Sequence, residues 1–193
     1  LSRSGEIYEF VYRGHLADEA LDHAGRHRSS PSRHDHEAVA DALSLRLLDD
    51  ELVAAADRMA TVYTAVAAFE NSVRSLVSSA LLEEFGDNWW DTCVSSSIRN
   101  RAEKRSEDEE KHRFHTQRGD SPINYTELKD LLNIIRANWS PFEAHIPTPE
   151  WAGSIFDAVE RSRNVIMHSG TLDDEDIARV GINIRDWVKQ VGA

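Results

Sequence analysis

Cysteine is nearly absent: Cys93 is the only one in 193 residues. That excludes an intramolecular disulfide framework and fits a reducing compartment such as the cytoplasm. Proline (5) and glycine (9) are scarce, which argues against a loop-rich or low-complexity chain. Long apolar runs are missing too. The longest are Leu52–Ala56 and Val62–Phe69, the latter broken by Thr64, and both fall short of the residues needed for a membrane span. The first residues are polar and no apolar block follows them, so no signal peptide is expected; an opening at Leu1 suggests a piece of a longer protein. Positive charge is in deficit, with 22 Lys and Arg against 34 Asp and Glu, a net −12. Such a chain is no general duplex-DNA coater, although a local basic site remains compatible with it.

What is present reads as helix. No segment alternates apolar and polar residues in the strand period, so the expected class is all-α, a helical bundle. Residues 6–22 carry a helical pattern weakened by Gly14, and 23–36 (HAGRHRSSPSRHDH) read as a His/Arg-rich loop. From Glu37 to Phe85 no Gly or Pro interrupts, with Asp57-Arg58 as a candidate break or polar face. Val62, Val66, Phe69, Val73, Leu76, Val77 and Leu81 make a core stripe, and Gly86 ends it. Trp89-Trp90 reads as the closure of a core end. Residues 95–112 are charged on nearly every side and read as an exposed helix. Asn124 with Glu127 resembles a capping box, followed by the apolar positions Leu128, Leu131, Leu132, Ile135 and Trp139. Thr148-Pro149 starts a helix that ends near Gly170, and Asp173 starts the last one.

The helix from Pro149 ends in Glu160-Arg161-Ser162-Arg163-Asn164-Val165-Ile166-Met167-His168. On a wheel, Trp151, Ile155, Val159, Val165 and Ile166 share one side. Asp157, Asn164 and His168 share the other, with Arg163 at the edge beside Phe156 and Glu160. Asn164 and His168 are neighbours at i,i+4. A histidine, as a class, titrates near neutrality and serves as acid or base, while a guanidinium fork holds two phosphate oxygens. Pairing of Arg163 with Glu160, and of Glu70 with Arg74, are the plain structural alternatives for these charges.

Arg163 through His168 resembles the Arg-x4-His motif of the HEPN superfamily, and within it the Swt1-like HEPN domains. The resemblance also rests on Tyr63–Val77 (YTAVAAFENSVRSLV), Glu84–Trp90 (EFGDNWW), Arg118–Ile135 (RGDSPINYTELKDLLNII) and Glu160–Gly170 (ERSRNVIMHSG). It covers roughly residues 59–190, about two thirds of the chain. It implies a HEPN-type helical bundle over 59–193; residues 1–58 are expected to form an N-terminal helical extension, whose residues 1–36 lie outside the resemblance as the tail of an upstream domain or a linker docked on the bundle. It implies a metal-independent endoribonuclease that acts as a homodimer on an RNA substrate, without a cofactor or a membrane. Its setting would be that of a toxin or antiviral defence effector, restrained by an antitoxin or an upstream sensor domain. The implied catalytic residues are Arg163, Asn164 and His168, with Glu70 and Glu160 in support. The alternative is a catalytically inactive HEPN module for dimerisation, docking or nucleotide binding. Several toxin members have tyrosine two residues after the histidine, where this chain has Gly170.

In the basic set from Arg99 to Arg118, residues 99–111 are interleaved with acids and read as a solvated helix face. At Arg113, His115 and Arg118 the acids thin out, and RNA phosphate contacts are expected there. His34-x-His36 and His112-x2-His115 lack the further ligands that a metal site needs.

Overall fold

The computed structural model describes residues 33–112 and 114–192. The helix expected at 6–22 and most of the loop at 23–36 lie outside the described residues. The described chain forms seven α-helices and short 3-10 turns, with no strand among these residues. It divides into two compact units, residues 1–53 and 54–193.

In the first unit, α1 (Arg33–Ala42) is followed by a 3-10 turn at Leu45–Leu47. Ser44, in the left-handed region at φ 56°, turns the chain, and Arg46 pairs with Asp41 at 3.1 Å. The Asp49 carboxylate accepts from the backbone N–H groups of Glu51 and Leu52 and so caps α2 (Asp50–Phe85). Of the two readings of Asp57-Arg58, the polar face holds, since both are exposed within a continuous helix, and the chain breaks instead at 43–49. Arg58 sits within a continuous helix and pairs with Asp174.

In the second unit, α2 buries Met59, Val62, Val66, Phe69, Val73, Val77 and Leu81, spaced by three and four along one face. By length and composition alone α2 could cross a membrane. In this fold Val66, Phe69, Val73, Val77 and Leu81 pack into the bundle core, while Met59 and Val62 join a smaller cluster. Gly86, at φ +72°, takes the left-handed conformation that closes the helix. Then follow α3 (Trp89–Cys93), α4 (Ser96–Glu110), a 3-10 turn at Pro122–Tyr125, α5 (Leu128–Ala137), α6 (Pro149–Met167) and α7 (Asp174–Val191). Helix α6 packs against both α5 and α7. Its start is capped as the sequence implies, with Thr148 Oγ1 accepting from Trp151 N–H at 3.1 Å. Asp173 likewise caps α7. The capping expected at Asn124 is not formed, since Asn124 lies inside the 3-10 turn. Glu127 is the cap of α5, and its N–H donates to Asp130 Oδ2 at 3.3 Å.

The core centres on an aromatic cluster. Phe69 meets Phe156 and Trp187 edge-on at 5.8 Å each, and Trp151 stacks on Trp187 at 5.7 Å. The buried face of α6 is Ala152, Gly153, Ile155, Phe156 and Val159. This corrects the helical wheel at two points. Phe156 is buried and Val165 is 41% exposed, because the core covers only the first three turns of α6. Beyond them only Ile166 packs inward, against a second small cluster of Met59, Val62 and Leu172.

Candidate active site

Glu70 and Arg74 lie one turn apart on α2, and both side chains are largely buried. Glu70 Oε2 accepts from Arg74 Nη2 at 3.4 Å, and Glu70 Oε1 pairs with Arg163 Nε of α6 at 3.0 Å. Arg163 therefore finds its carboxylate on another helix, and not at Glu160 one turn back. Arg74 also donates to the Thr126 carbonyl and to Asn71 Oδ1, both at 3.0 Å, while its buried Nε has no partner. Arg163 uses only Nε. Its Nη1 and Nη2 have no partner among the described residues, and the side chain is one-third exposed.

Helix α4 adds a second layer. Asp130 is 4% exposed, and its carboxylate takes Arg101 Nη2 at 2.5 Å, Arg105 Nη1 at 3.3 Å and the Glu127 N–H. Burial pushes the Asp130 pKa upward, but the hydrogen bonds and charges of Arg101, Glu127 N–H and Arg105 outweigh it and hold the carboxyl below its ordinary value. Arg105 further bonds the Tyr125 carbonyl at 2.7 Å and Glu127 at 2.8 Å. Arg101 and Arg105 thus belong to a tertiary ion-pair network, which corrects their reading as a solvated helix face. The signal was available: Ile98, Arg101, Ala102 and Arg105 form one stripe at helical spacing.

Arg118 reaches the same place from the loop after α4. Glu109 holds it at Nε, 2.5 Å away, and also accepts the Arg118 backbone N–H at 3.2 Å. The guanidinium lies 5.9 Å from the centre of the Tyr125 ring. Arg74, Arg105, Arg118 and Arg163 together line an open cleft of about 190 Å³ with Glu70, Glu127 and Glu160.

Four of the residues singled out in the sequence, Glu70, Arg118, Glu160 and Arg163, therefore meet in one cleft. Asn164 and His168 do not line it. They are exposed on the last turn of α6, without side-chain partners among the described residues. His115 lines an adjoining groove with Arg105, His112 and Arg118. Arg113 lies outside the described residues. Arg74, Arg105 and Asp130 were not singled out for the site, because their partners come from other elements.

The backbone around His168 is closely defined. His168 ends α6, Ser169 takes φ 60°, Ser169 N–H donates to the Ile166 carbonyl at 3.0 Å, and Gly170 N–H donates to the Val165 carbonyl at 2.8 Å. This is a Schellman cap with serine in the left-handed position. A Cβ at Gly170 would come within 2.6 Å of Val165 Cγ1 and 2.9 Å of its carbonyl oxygen. Glycine is required there by close approach.

Comparison with known families decides the assignment. Residues 64–192, two thirds of the chain, match the Swt1-like HEPN family. The chain is a Swt1-like HEPN protein. No curated protein and no solved structure matches it. The HEPN match runs from Thr64, six residues before Glu70, to the end of α7, and so takes in both the Glu70–Arg163 pair and His168. Ribonuclease-type function is common among HEPN domains.

Proposed function

We propose that this HEPN protein is a metal-independent endoribonuclease that acts as a homodimer. One observation carries the reading. Arg163 is held from behind by Glu70 and leaves its Nη fork free at an open cleft, on the same helix end that leaves His168 exposed and unpartnered. RNA brings its own nucleophile. A base takes the 2′-OH proton, the 2′ oxygen attacks phosphorus, and the P–O5′ bond breaks. An acid then protonates the departing 5′ oxygen. The products are a 2′,3′-cyclic phosphate and a 5′-hydroxyl, with no other reactant consumed. His168 of one copy and His168 of a second supply base and acid, a contribution of about 10²–10⁴-fold. Arg163 stabilises the charge that builds on the phosphorane, worth about 3 kcal/mol, and Asn164 orients the imidazole or the ribose.

A second copy also fits the surroundings. Val165 and Met167 are exposed on the turn that carries His168, and a dimer contact there would cover them. The biological setting in this reading is RNA degradation in the cytoplasm by a toxin or antiviral effector, restrained by an antitoxin or an upstream sensor. The competing reading is a silent docking or dimerisation module, favoured by the absence of His168 from the cleft that Arg163 lines.

The test is incubation with tRNA and total RNA in EDTA, together with light scattering for oligomeric state. Wild type cleaves and is dimeric; His168→Ala and Arg163→Ala each lose about 10²-fold or more. Equal cleavage by all three proteins removes the catalytic assignment. No cleavage by wild type across many RNAs selects the silent module.

A further inference from the structure

Arg118 repeats the device of Arg163. Each guanidinium is gripped at Nε by a glutamate, Glu109 or Glu70, and each leaves Nη1 and Nη2 without a partner among the described residues. Both line the same cleft, although one comes from α6 and the other from a loop. Four arginines and three glutamates line that cleft, a slight excess of arginine at its surface. In a chain of net charge −12, this is a local exception.

Arg105 and Arg118 are shared with the adjoining groove of about 400 Å³, which His112, His115, Asp108 and Glu109 also line, so that its two arginines are balanced by two carboxylates. Phe114 is not itself in the groove lining but is neighbour to two residues that are: it is 86% exposed, with the rings of His112 and His115 at 6.2 and 5.4 Å from its own. A free phosphate would use the forks and ignore the ring. An aromatic face beside a guanidinium cradle suits a phosphate joined to a base, because single strands are bound by stacking on aromatics along a cationic groove.

We infer that the cleft and groove form a nucleotide subsite for single-stranded RNA: Arg118, with Arg163, holds a backbone phosphate, and Phe114 stacks the base next to it. The inference rests on the ribonuclease reading for its ligand and goes beyond it in naming how the strand is seated. Phe114 and Arg118 seat the strand and are assigned no part in proton transfer.

The experiment uses the full chain and a short single-stranded oligonucleotide with 2′-O-methyl groups, so that binding is read without cleavage, by fluorescence anisotropy over a salt series. Phe114→Ala weakens binding about 10-fold with the salt slope unchanged, and Phe114→Trp restores it. Arg118→Gln weakens binding and lowers the slope of log K against log salt by about 0.7, one phosphate contact. Arg179→Gln, on the exposed face of α7 and paired with Glu175 and Asp176, behaves as wild type. Phe114 is exposed, so its variants are not expected to affect folding. If wild type binds and Phe114→Ala and Arg118→Gln both bind equally well with unchanged slope, the subsite is overturned and the nuclease reading stands. If wild type binds no RNA and cleaves none, both fall. AMP binding as tight as the oligonucleotide would assign the pocket to free nucleotides and overturn the strand proposal.

Discussion

Replacing Glu70 by alanine tests whether Arg163 is positioned by its ion pair. The Glu70 side chain is 12% exposed and Arg163 33%, so the pair is neither a surface contact, worth about 0–1 kcal/mol, nor a fully buried one, where losing a partner costs about 3–5 kcal/mol. The Arg163 contact is an ion pair at 3.0 Å, and the Arg74 contact is a hydrogen bond at its 3.4 Å limit. Charge-assisted bonds contribute about 1.5–3 kcal/mol each. Counting the first at the low end, because Arg163 can rehydrate, and half of that for the second, Glu70→Ala should lower stability by about 2 kcal/mol. The Glu70–Arg163 coupling alone is about 1–1.5 kcal/mol. Urea unfolding of wild type, Glu70→Ala, Arg163→Ala and the double variant measures it. The loss of the Arg74 contact occurs whenever Glu70 is removed and cancels in the cycle. Additivity within about 0.3 kcal/mol would mean that the pair carries no interaction and that Arg163 is placed by packing alone.

Two further expectations concern the scaffold. The Asp130 pKa is lowered in the folded chain, so its contribution to stability is present above the ordinary carboxylate value of about 3.9 and is lost as pH falls through the lower folded value. Asp130→Asn is therefore about 2 kcal/mol less stable than wild type at pH 7, and the two converge in strong acid. A difference that stays constant from pH 7 to pH 2 would refute the ion-pair account. Ser169→Gly relieves a left-handed serine and should stabilise by about 1 kcal/mol, or roughly 2–4 °C in Tm; an unchanged or lower Tm would show that the serine side chain compensates for its backbone.

The parts of the fold that were legible in the sequence are those set by local chemistry. The Thr148-Pro149 start of α6, the Gly86 stop and the α2 stripe each follow from residues within a turn or two of one another, and each is observed. The break before α2 was not located in the sequence because neither Gly nor Pro marks it. A left-handed serine and the Asp49 cap do that instead, amid residues that suit a helix. The cap of α5 was misassigned to Asn124 because Asp130, which reaches back to Glu127, is held in place by Arg101 and Arg105 from α4. At the site, the Arg163–His168 spacing is visible in the chain, whereas the partner of Arg163 is not. Glu160 is the neighbour that helical geometry offers, and only the packing of α6 near α2 selects Glu70. Phe114 drew no notice because an isolated phenylalanine in a polar loop has no pattern; its exposure marks it.

On the ribonuclease reading, the contact of Glu70 with the rear nitrogen of Arg163 would favour a guanidinium at this position over any other cation. An ammonium concentrates its charge on a single nitrogen, so a lysine tethered by the same glutamate would point its charge at the tether. Arginine separates the two tasks, being moored through one atom and addressing its target with two others. A lysine here would keep the formal charge and lose the aim, so the electrostatic sum of the cleft would stay unchanged while its directional chemistry disappeared.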